Sequence, residues 1–375
     1  MSKRIFSISM VKNESDIIES FVRYNINILD GMIILDNQSS DNTLKILNLL
    51  KKEGLNIHII LDDNNEFNQA SKLNKLLSNA LKEFNADIIV PLDADEFLVS
   101  NKGGNPRKYI ELIESPSFNL VKWKTYVPTF DNDTEKFIPS KITFVRDNLG
   151  EYNKVILPKE LVEQFDVKLT KGSHKLSFDS KYEQSIKQVF DENLRIAHFP
   201  IRSREQIISK ISIGWINNLV DINRTKYESW HFKNMFNDLK NGLEIEKEDM
   251  INFAKKYSMD ETEKEVNITF DPIDLSFCKN ISIKYTNNNL NYMTNFLEFT
   301  ETLAQNYLNL KKDKLTEEKG FKEEINKLSQ EVKNLSIKLT NETDRLNRKI
   351  KEYESSTSWR ITAPIRKFIS FIKKS

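Results

Sequence analysis

Apolar and polar positions alternate between two periods over the first hundred residues. Residues 5–10 form an apolar-rich run that predicts a strand, and Ile17, Ile18, Phe21, Val22, Ile28 and Leu29 then return at helical spacing behind an Asn13 or Ser15 cap. The unit repeats. Residues 32–35 predict a second strand, Leu44, Leu47 and Leu50 a helix, and residues 57–61 a third strand. Ala70, Leu73, Leu76, Leu77, Ala80, Leu81 and Phe84 predict a longer amphipathic helix, and residues 88–92 a fourth strand. Apolar strands joined by helices of this length imply right-handed crossovers and a mostly parallel sheet covered on both faces, which is a doubly wound α/β domain. Ligands of such sheets bind beyond the carboxyl ends of the strands, so the polar cluster after each strand is where chemistry is sought.

From about residue 105 to 230 the pattern is less regular, with Pro116, Pro128, Pro139 and Pro158 interrupting short β-like stretches that complete the same domain. Residues 204–219 and 290–310 read as helical. Beyond Lys311, Phe321, Ile325, Leu328, Val332, Leu335 and Leu339 step by alternating fours and threes, the seam of a coiled coil, which continues through Glu342, Leu346, Lys349 and Tyr353. The alternative is a long solvated single helix. The expected organisation is therefore a doubly wound α/β domain at 1–250, a helical extension at 251–310, a coiled coil at 311–354 and a basic amphipathic tail at 355–375.

Composition narrows the classes. Hydrophobic residues at 39% and charged residues at 30% fit a globular protein, and no apolar run approaches the roughly 20 residues of a membrane span. The first ten residues hold no secretory apolar core, and the single cysteine, Cys278, excludes an intramolecular disulfide and a cysteine-based zinc site. A cytoplasmic location is expected. The tail carries Arg360, Arg366, Lys367, Lys373 and Lys374 with no acid after Glu354, which leaves the rest of a chain of net charge +1 acidic. No nucleic-acid partner is expected for such a body.

Two clusters stand out. After the fourth strand comes Asp93-Ala94-Asp95-Glu96-Phe97, whose crowded carboxylates suit a divalent cation, Mn²⁺ or Mg²⁺, that keeps open positions for phosphate oxygens. The plainer reading is an acidic loop capping the next helix. After the second strand comes the segment from Asp36 to Thr43, in which Asp41 and Thr43 suit a turn and a cap, while Asp36, at the strand end, can accept hydrogen bonds from a nucleobase or ribose.

The order of Ser9-Met10-Val11-Lys12-Asn13-Glu14, the Asp36 to Thr43 segment and Asp93-Ala94-Asp95 resembles the family 2 glycosyltransferases, which have the GT-A fold. DADEFL at 93–98, with Gln69, Asn74 and HFPIRSREQIISK at 198–210, is similar to a bacterial subgroup of that family. The resemblance covers roughly residues 4–215. It implies that Asn13, Glu14 and Asp36 approach the donor nucleotide, along with Gln69 and Asn74. Asp93 and Asp95 match the D-x-D pair at metal and ribose, His198 resembles a late metal ligand with His174 as competitor, and Arg202 and Lys210 would contact the diphosphate. No clear Glu-Asp base motif follows, so Asp131, Asp133 and Glu135 are the candidates for general base.

The function implied is metal-dependent, inverting transfer of a sugar, from a UDP-sugar or similar donor, to a cell-surface glycan or lipid-linked acceptor. Two other classes compete. A nucleotidyltransferase uses similar carboxylates but needs a Gly-rich basic loop after the first strand, and residues 9–15 contain no glycine. A catalytically inactive coiled-coil scaffold is the third reading, which metal-dependent sugar release would exclude. A homo-oligomer through the coiled coil is expected. Ser-Trp-Arg-Ile-Thr-Ala-Pro at 358–364 is similar to a stretch recurring in bacterial surface-polysaccharide glycosyltransferases, and apolar residues interleaved with cations there fit an interfacial segment at the inner face of a membrane. Packing of the tail on its own domain or on a protein partner is the alternative.

Overall fold

The computed structural model describes residues 2–62, 69–131, 134–150, 152–220, 230–259, 265–279, 281–286 and 292–373. They fall in two compact units, Met1–Thr300 and Glu301–Ser375.

In the first unit β1 (Ile5–Val11), α1 (Ile18–Asn25), β2 (Gly31–Asp36), α2 (Thr43–Lys52), β3 (Ile57–Leu61), α3 (Gln69–Lys82) and β4 (Ile88–Pro91) follow the alternation that the sequence predicts. The four strands lie parallel in the order β3-β2-β1-β4, with Ile8 registered on Ile33 to one side and Pro91 to the other. Successive residues of a strand point to opposite faces, so the continuous apolar run of β2 feeds two cores at once. Met32 and Ile34 join Ile18, Phe21, Val22, Ile46, Leu47 and Leu50 of α1 and α2. Ile33 and Leu35 join Leu73, Leu76, Leu77 and Ala80 of α3 on the other face.

The irregular stretch extends this sheet. β5 (Glu96–Ser100) and the four-residue α4 (Arg107–Ile110) lead into the long β6 (Ser117–Val127). After α5 (Ile138–Lys141) come β7 (Phe144–Arg146) and β8 (Asn153–Pro158), which lies antiparallel between β4 and β6. α6 (Lys159–Phe165) precedes a short ladder, β9 (Lys168–Leu169) with β10 (Leu176–Ser177). β11 (Lys187–Phe190) and β12 (Leu194–His198) then run parallel to β6, and β12 also pairs antiparallel with β5. α7 (Arg204–Val220), α8 (Trp230–Lys240) and α9 (Lys247–Lys256) follow.

Residues beyond 250 continue the same sheet and core. β13 (Ile268–Phe270) pairs with β7 at the sheet edge, and Ile273, Leu275, Phe277 and Ile283 pack on the core beneath α1. The apolar residues of this segment join the face of the sheet that α1 and α2 cover. α10 (Tyr292–Ser355) is a single helix of 64 residues with no break at 311.

In the second unit α10 continues to α11 (Thr357–Ile361) and α12 (Ala363–Ile372). Ser356 caps α11 by accepting from the Trp359 backbone N–H, and the Arg366 guanidinium lies 3.5 Å over the Trp359 ring, which fixes the elbow between α11 and α12. No helix of the described residues is long and apolar enough to cross a membrane.

Leu76 is fully buried in the α3 face. Leu76→Ala is expected to cost about 2–5 kcal/mol, read as a lower urea midpoint at unchanged slope. A loss below about 1 kcal/mol would contradict this packing.

Candidate active site

Strands β2 and β3 lie to one side of β1 and β4 to the other, so the strand order reverses between β1 and β4. In a doubly wound sheet that point leaves a crevice at the carboxyl ends of the strands. Residues 12–16 follow β1 and residues 92–95 follow β4, and both enter this crevice.

The loop after β1 is built by its own polar groups. Asn13 takes a φ of 56°, a conformation asparagine tolerates better than most residues. Its Oδ1 accepts from the Ser40 N–H at 2.8 Å, and the Glu14 N–H donates to Thr43 Oγ1 at 2.8 Å. Asp41 accepts from the Ser15 and Thr43 backbone N–H groups. The segment from Asp36 to Thr43 is thus knitted to residues 13–15, and Asn13 spends its side chain on that join. Asp36, buried at the end of β2, accepts from the Ser39 N–H at 3.1 Å through Oδ2. Its Oδ1 is buried with no hydrogen-bond partner among the described residues. A buried acceptor left open costs free energy that an incoming donor recovers.

The centre of the crevice is Asp95. Around its Oδ2 stand Lys210 Nζ at 3.3 Å, His198 Nε2 at 3.6 Å and Arg202 Nη1 at 3.9 Å. β12 delivers His198, because its register sets His198 opposite Glu96 on β5, and α7 delivers Lys210. Burial opposes the Asp95 charge, but Lys210, His198 and Arg202 outweigh it and hold the carboxyl well below its ordinary range. Burial lowers the proton affinity of His198, with Asp95 opposing.

Arg202 is itself buried. It donates from Nε to Asp16 at 2.6 Å, from Nη2 to Asp16 and Glu14 at 2.9 and 2.7 Å, and from Nη1 to the Phe199 carbonyl at 3.1 Å. Burial pushes the Glu14 carboxyl up to about 8, with Arg202 opposing and Asp95 and Asp16 reinforcing.

A second network holds Asp93. Lys154, one of the largest fully buried side chains, donates to Asp93 at 2.6 Å and lies 3.1 Å from Glu96. Glu96 also accepts from Trp123 Nε1 at 2.7 Å and from the Asp93 N–H at 2.8 Å. The Trp123 ring stacks on His198 at 4.2 Å between centroids, so one carboxylate orients both the D-x-D turn and the platform under the histidine. Burial opposes the Lys154 charge, and Asp93 and Glu96 more than restore it. Burial, with Asp93 and Asp95 adding to it against the pull of Lys154, pushes Glu96 up to about 8.

Other sequence candidates lie elsewhere. Gln69 accepts from the Gly172 N–H, and Asn74 bonds both ways with the Leu169 backbone, so both brace the 168–173 segment. His174 bonds through Nδ1 to the Asn153 carbonyl at 2.8 Å and packs edge-on to Trp123, with no contact to Asp95. Glu135 caps the Phe137 N–H, and neither it nor Asp131 contacts the Asp95 group among the described residues. Asp133 lies outside the described residues. Sequence reasoning passed over Asp16, Trp123, Lys154 and Tyr257. Lys154 carried a signal, a single cation inside the apolar strand NKVILP. Tyr257, whose ring centre is 5.4 Å from that of His198 and 5.3 Å from Lys210 Nζ, carried none.

A divalent ion can be tested against this geometry. Asp95 Oδ2 and His198 Nε2 at 3.6 Å are close enough to share one ion with bonds of about 2.0–2.2 Å. The described residues bring no third His, Cys, Asp or Glu to them, and Asp93 is held by Lys154. The pair fits an ion that takes its remaining ligands from phosphate oxygens and water. A cavity of about 500 Å³ opens beside Asp16 and Arg202.

Residues 8–117 match the family model for glycosyl transferase family 2. No curated protein matches the chain. Among solved structures it is similar to S. aureus TarS, at 12% identity and a TM-score of 0.31 over 69% of this chain and 75% of that one. It is also similar to the mannosyltransferase PcManGT from Pyrobaculum calidifontis in complex with GDP-Man and Mn²⁺, at 14% and 0.35 over 60% and 66%. GalNAc-T7 with UDP, GalNAc and Mn²⁺ matches at 11% and 0.33 over 63% and 55%. At TM-scores this low the likeness decides nothing about function. The fold itself is the α/β type that the sequence leads one to expect, a mixed and mostly parallel sheet with helices on both faces, followed by a long C-terminal helix.

Lys154→Ala is expected to destabilise the protein by about 3 kcal/mol or more, because Asp93 and Glu96 lose their buried counter-charge. Lys154→Met with Glu96→Gln should recover part of that loss, and a double-mutant cycle with no coupling would contradict the network.

Proposed function

We propose that the chain is a metal-dependent glycosyltransferase that moves a sugar from a nucleoside-diphosphate sugar, a UDP-sugar foremost, to a hydroxyl of a cell-surface glycan or lipid-linked acceptor. The convergence of His198, Lys210 and Arg202 on Asp95 at the strand-order reversal carries this reading, and the family match over residues 8–117 supports it. In a direct, inverting displacement, departure of the sugar leaves negative charge on the diphosphate. Fixed positive groups stabilise that charge where it develops, and Lys210 and Arg202 arrive already oriented by Asp95 and Asp16. Asp95 and His198 would hold a Mn²⁺ or Mg²⁺, which supplies Lewis-acid stabilisation of the leaving diphosphate when bound. The open Oδ1 of Asp36 would accept from the base or ribose of the nucleotide. Asp93, held by Lys154, would face the ribose rather than the ion.

The tail supplies a membrane contact in the same proposal. Ile365, Phe368, Ile369, Phe371 and Ile372 of α12 are all exposed beside Arg366, Lys367 and Lys373, a pattern suited to the boundary of an anionic lipid surface. Lys374 lies outside the described residues.

The purified protein should gain thermal stability from UDP or another nucleoside diphosphate only with Mn²⁺ or Mg²⁺, by about 2.7 kcal/mol at a hundredfold excess over Kd. Asp95→Ala should remove that gain and lower turnover about 100-fold or more. Turnover that survives both EDTA and Asp95→Ala would refute the reading, as would folded protein that answers to no nucleotide. The intact chain should float with vesicles containing anionic lipid and not with neutral ones. Failure to float with either removes the membrane contact.

A further inference from the structure

The chemistry above makes no use of α10. Along it Phe321, Ile325, Leu328, Val332, Leu335 and Leu339 form one stripe, each between 54% and 71% exposed. A stripe this long left in water forfeits burial that only another surface can supply. Its spacing sets Ile325, Val332, Leu339 and Leu346 at heptad position a and Phe321, Leu328 and Leu335 at position d. Charged residues interrupt the same seam at Glu318 (a), Glu342 (d) and Lys349 (d).

These charges decide the partner's direction. In a parallel, in-register pair every seam residue meets its own copy. Glu318 would face Glu318, Glu342 would face Glu342, and Lys349 would face Lys349, three layers of like charge. In an antiparallel pair, position a of one helix faces position d of the other, and g faces g. Setting Val332 opposite Leu335 of the second copy places Leu339 opposite Leu328 and Leu346 opposite Phe321. Lys349 then meets Glu318. At the g positions Glu331 comes opposite Lys338 and Glu324 opposite Arg345, while at the outer edge Glu317 meets Glu352. At the e positions Leu315 meets Ile350, each 51% exposed. One layer stays mixed, Ile325 against Glu342, and there the Glu342 carboxylate has Arg345 of its own helix at 3.4 Å.

We propose that two copies of this chain associate through an antiparallel coiled coil of their α10 helices, centred near Asn334. Glu318, Glu324 and Glu331 precede the midpoint and Lys338, Arg345 and Lys349 follow it, so these six meet opposite charges when the second helix is reversed, with Glu342 and Glu352 as the exceptions.

Sedimentation equilibrium of the full chain at micromolar concentration should give twice the 44.0 kDa of one chain. Orientation is read by cross-linking in a Cys278→Ser background. Glu324→Cys mixed with Arg345→Cys should oxidise to the mixed disulfide, identified by mass spectrometry, while each alone links poorly. In a parallel pair those positions lie roughly 30 Å apart along the helix, and Leu328→Cys would link to itself instead. Lys338→Glu should weaken the dimer about tenfold by setting acid against acid at two symmetric contacts, and Glu331→Lys added to it should restore the affinity. A mass of one chain throughout would overturn the proposal, as would a mass set by a different bound protein. Preferential self-linking at Leu328→Cys, or no rescue by the charge swap, would overturn the antiparallel direction.

Discussion

The crevice depends on the burial of one guanidinium. Arg202 is nearly sealed from solvent, and its fork grips Asp16 and Glu14 from the loop after β1 while its own backbone belongs to the turn after β12. A buried cation is tolerated only when paired and hydrogen-bonded, and Asp16 and Glu14 supply those partners. By drawing the two loops together, the ion pairs fix the direction from which Lys210 and His198 approach Asp95. The position of Asp95 is therefore a consequence of contacts made outside its own turn.

The site also separates two carboxylates that are one residue apart. Asp95 faces three positive or proton-accepting partners and stays ionised, whereas Asp93 and Glu96 share a single buried lysine with Trp123. Neighbouring carboxylates in one dry crevice repel unless counter-charges lie beside them. The chain meets that constraint from two different strands, with Lys154 from β8 on one flank and the residues following β12 on the other. Because Trp123 both donates to Glu96 and stacks on His198, the two halves are mechanically joined.

The alternating strands and helices of the first hundred residues were legible because local period and tertiary role coincide there. β2 is apolar without alternation because both of its faces are covered, and α3 carries its stripe because only one of its faces is. The D-x-D turn and the tail end of β12 were legible as short motifs. Asp16, Trp123 and Tyr257 were not, because their roles arise only from long-range register and from loops closing over one another. Gln69 and Asn74, amides on α3, bond to the backbone of residues 169–172, a role that no local pattern in the sequence announces. The return of the chain to the sheet after residue 265 was not legible, because the strand β13 is three residues long and its flanks bury isolated apolar residues with no period of their own.

The order of charges along α10 has a consequence for stoichiometry. A surface that matches itself after a half-turn makes an isologous contact, in which both partners offer the same patch. Such an interface uses up its binding surface on the first association and leaves no unmatched end to receive a third chain. In the antiparallel pair proposed above, assembly through this seam would close at two rather than propagate into a filament.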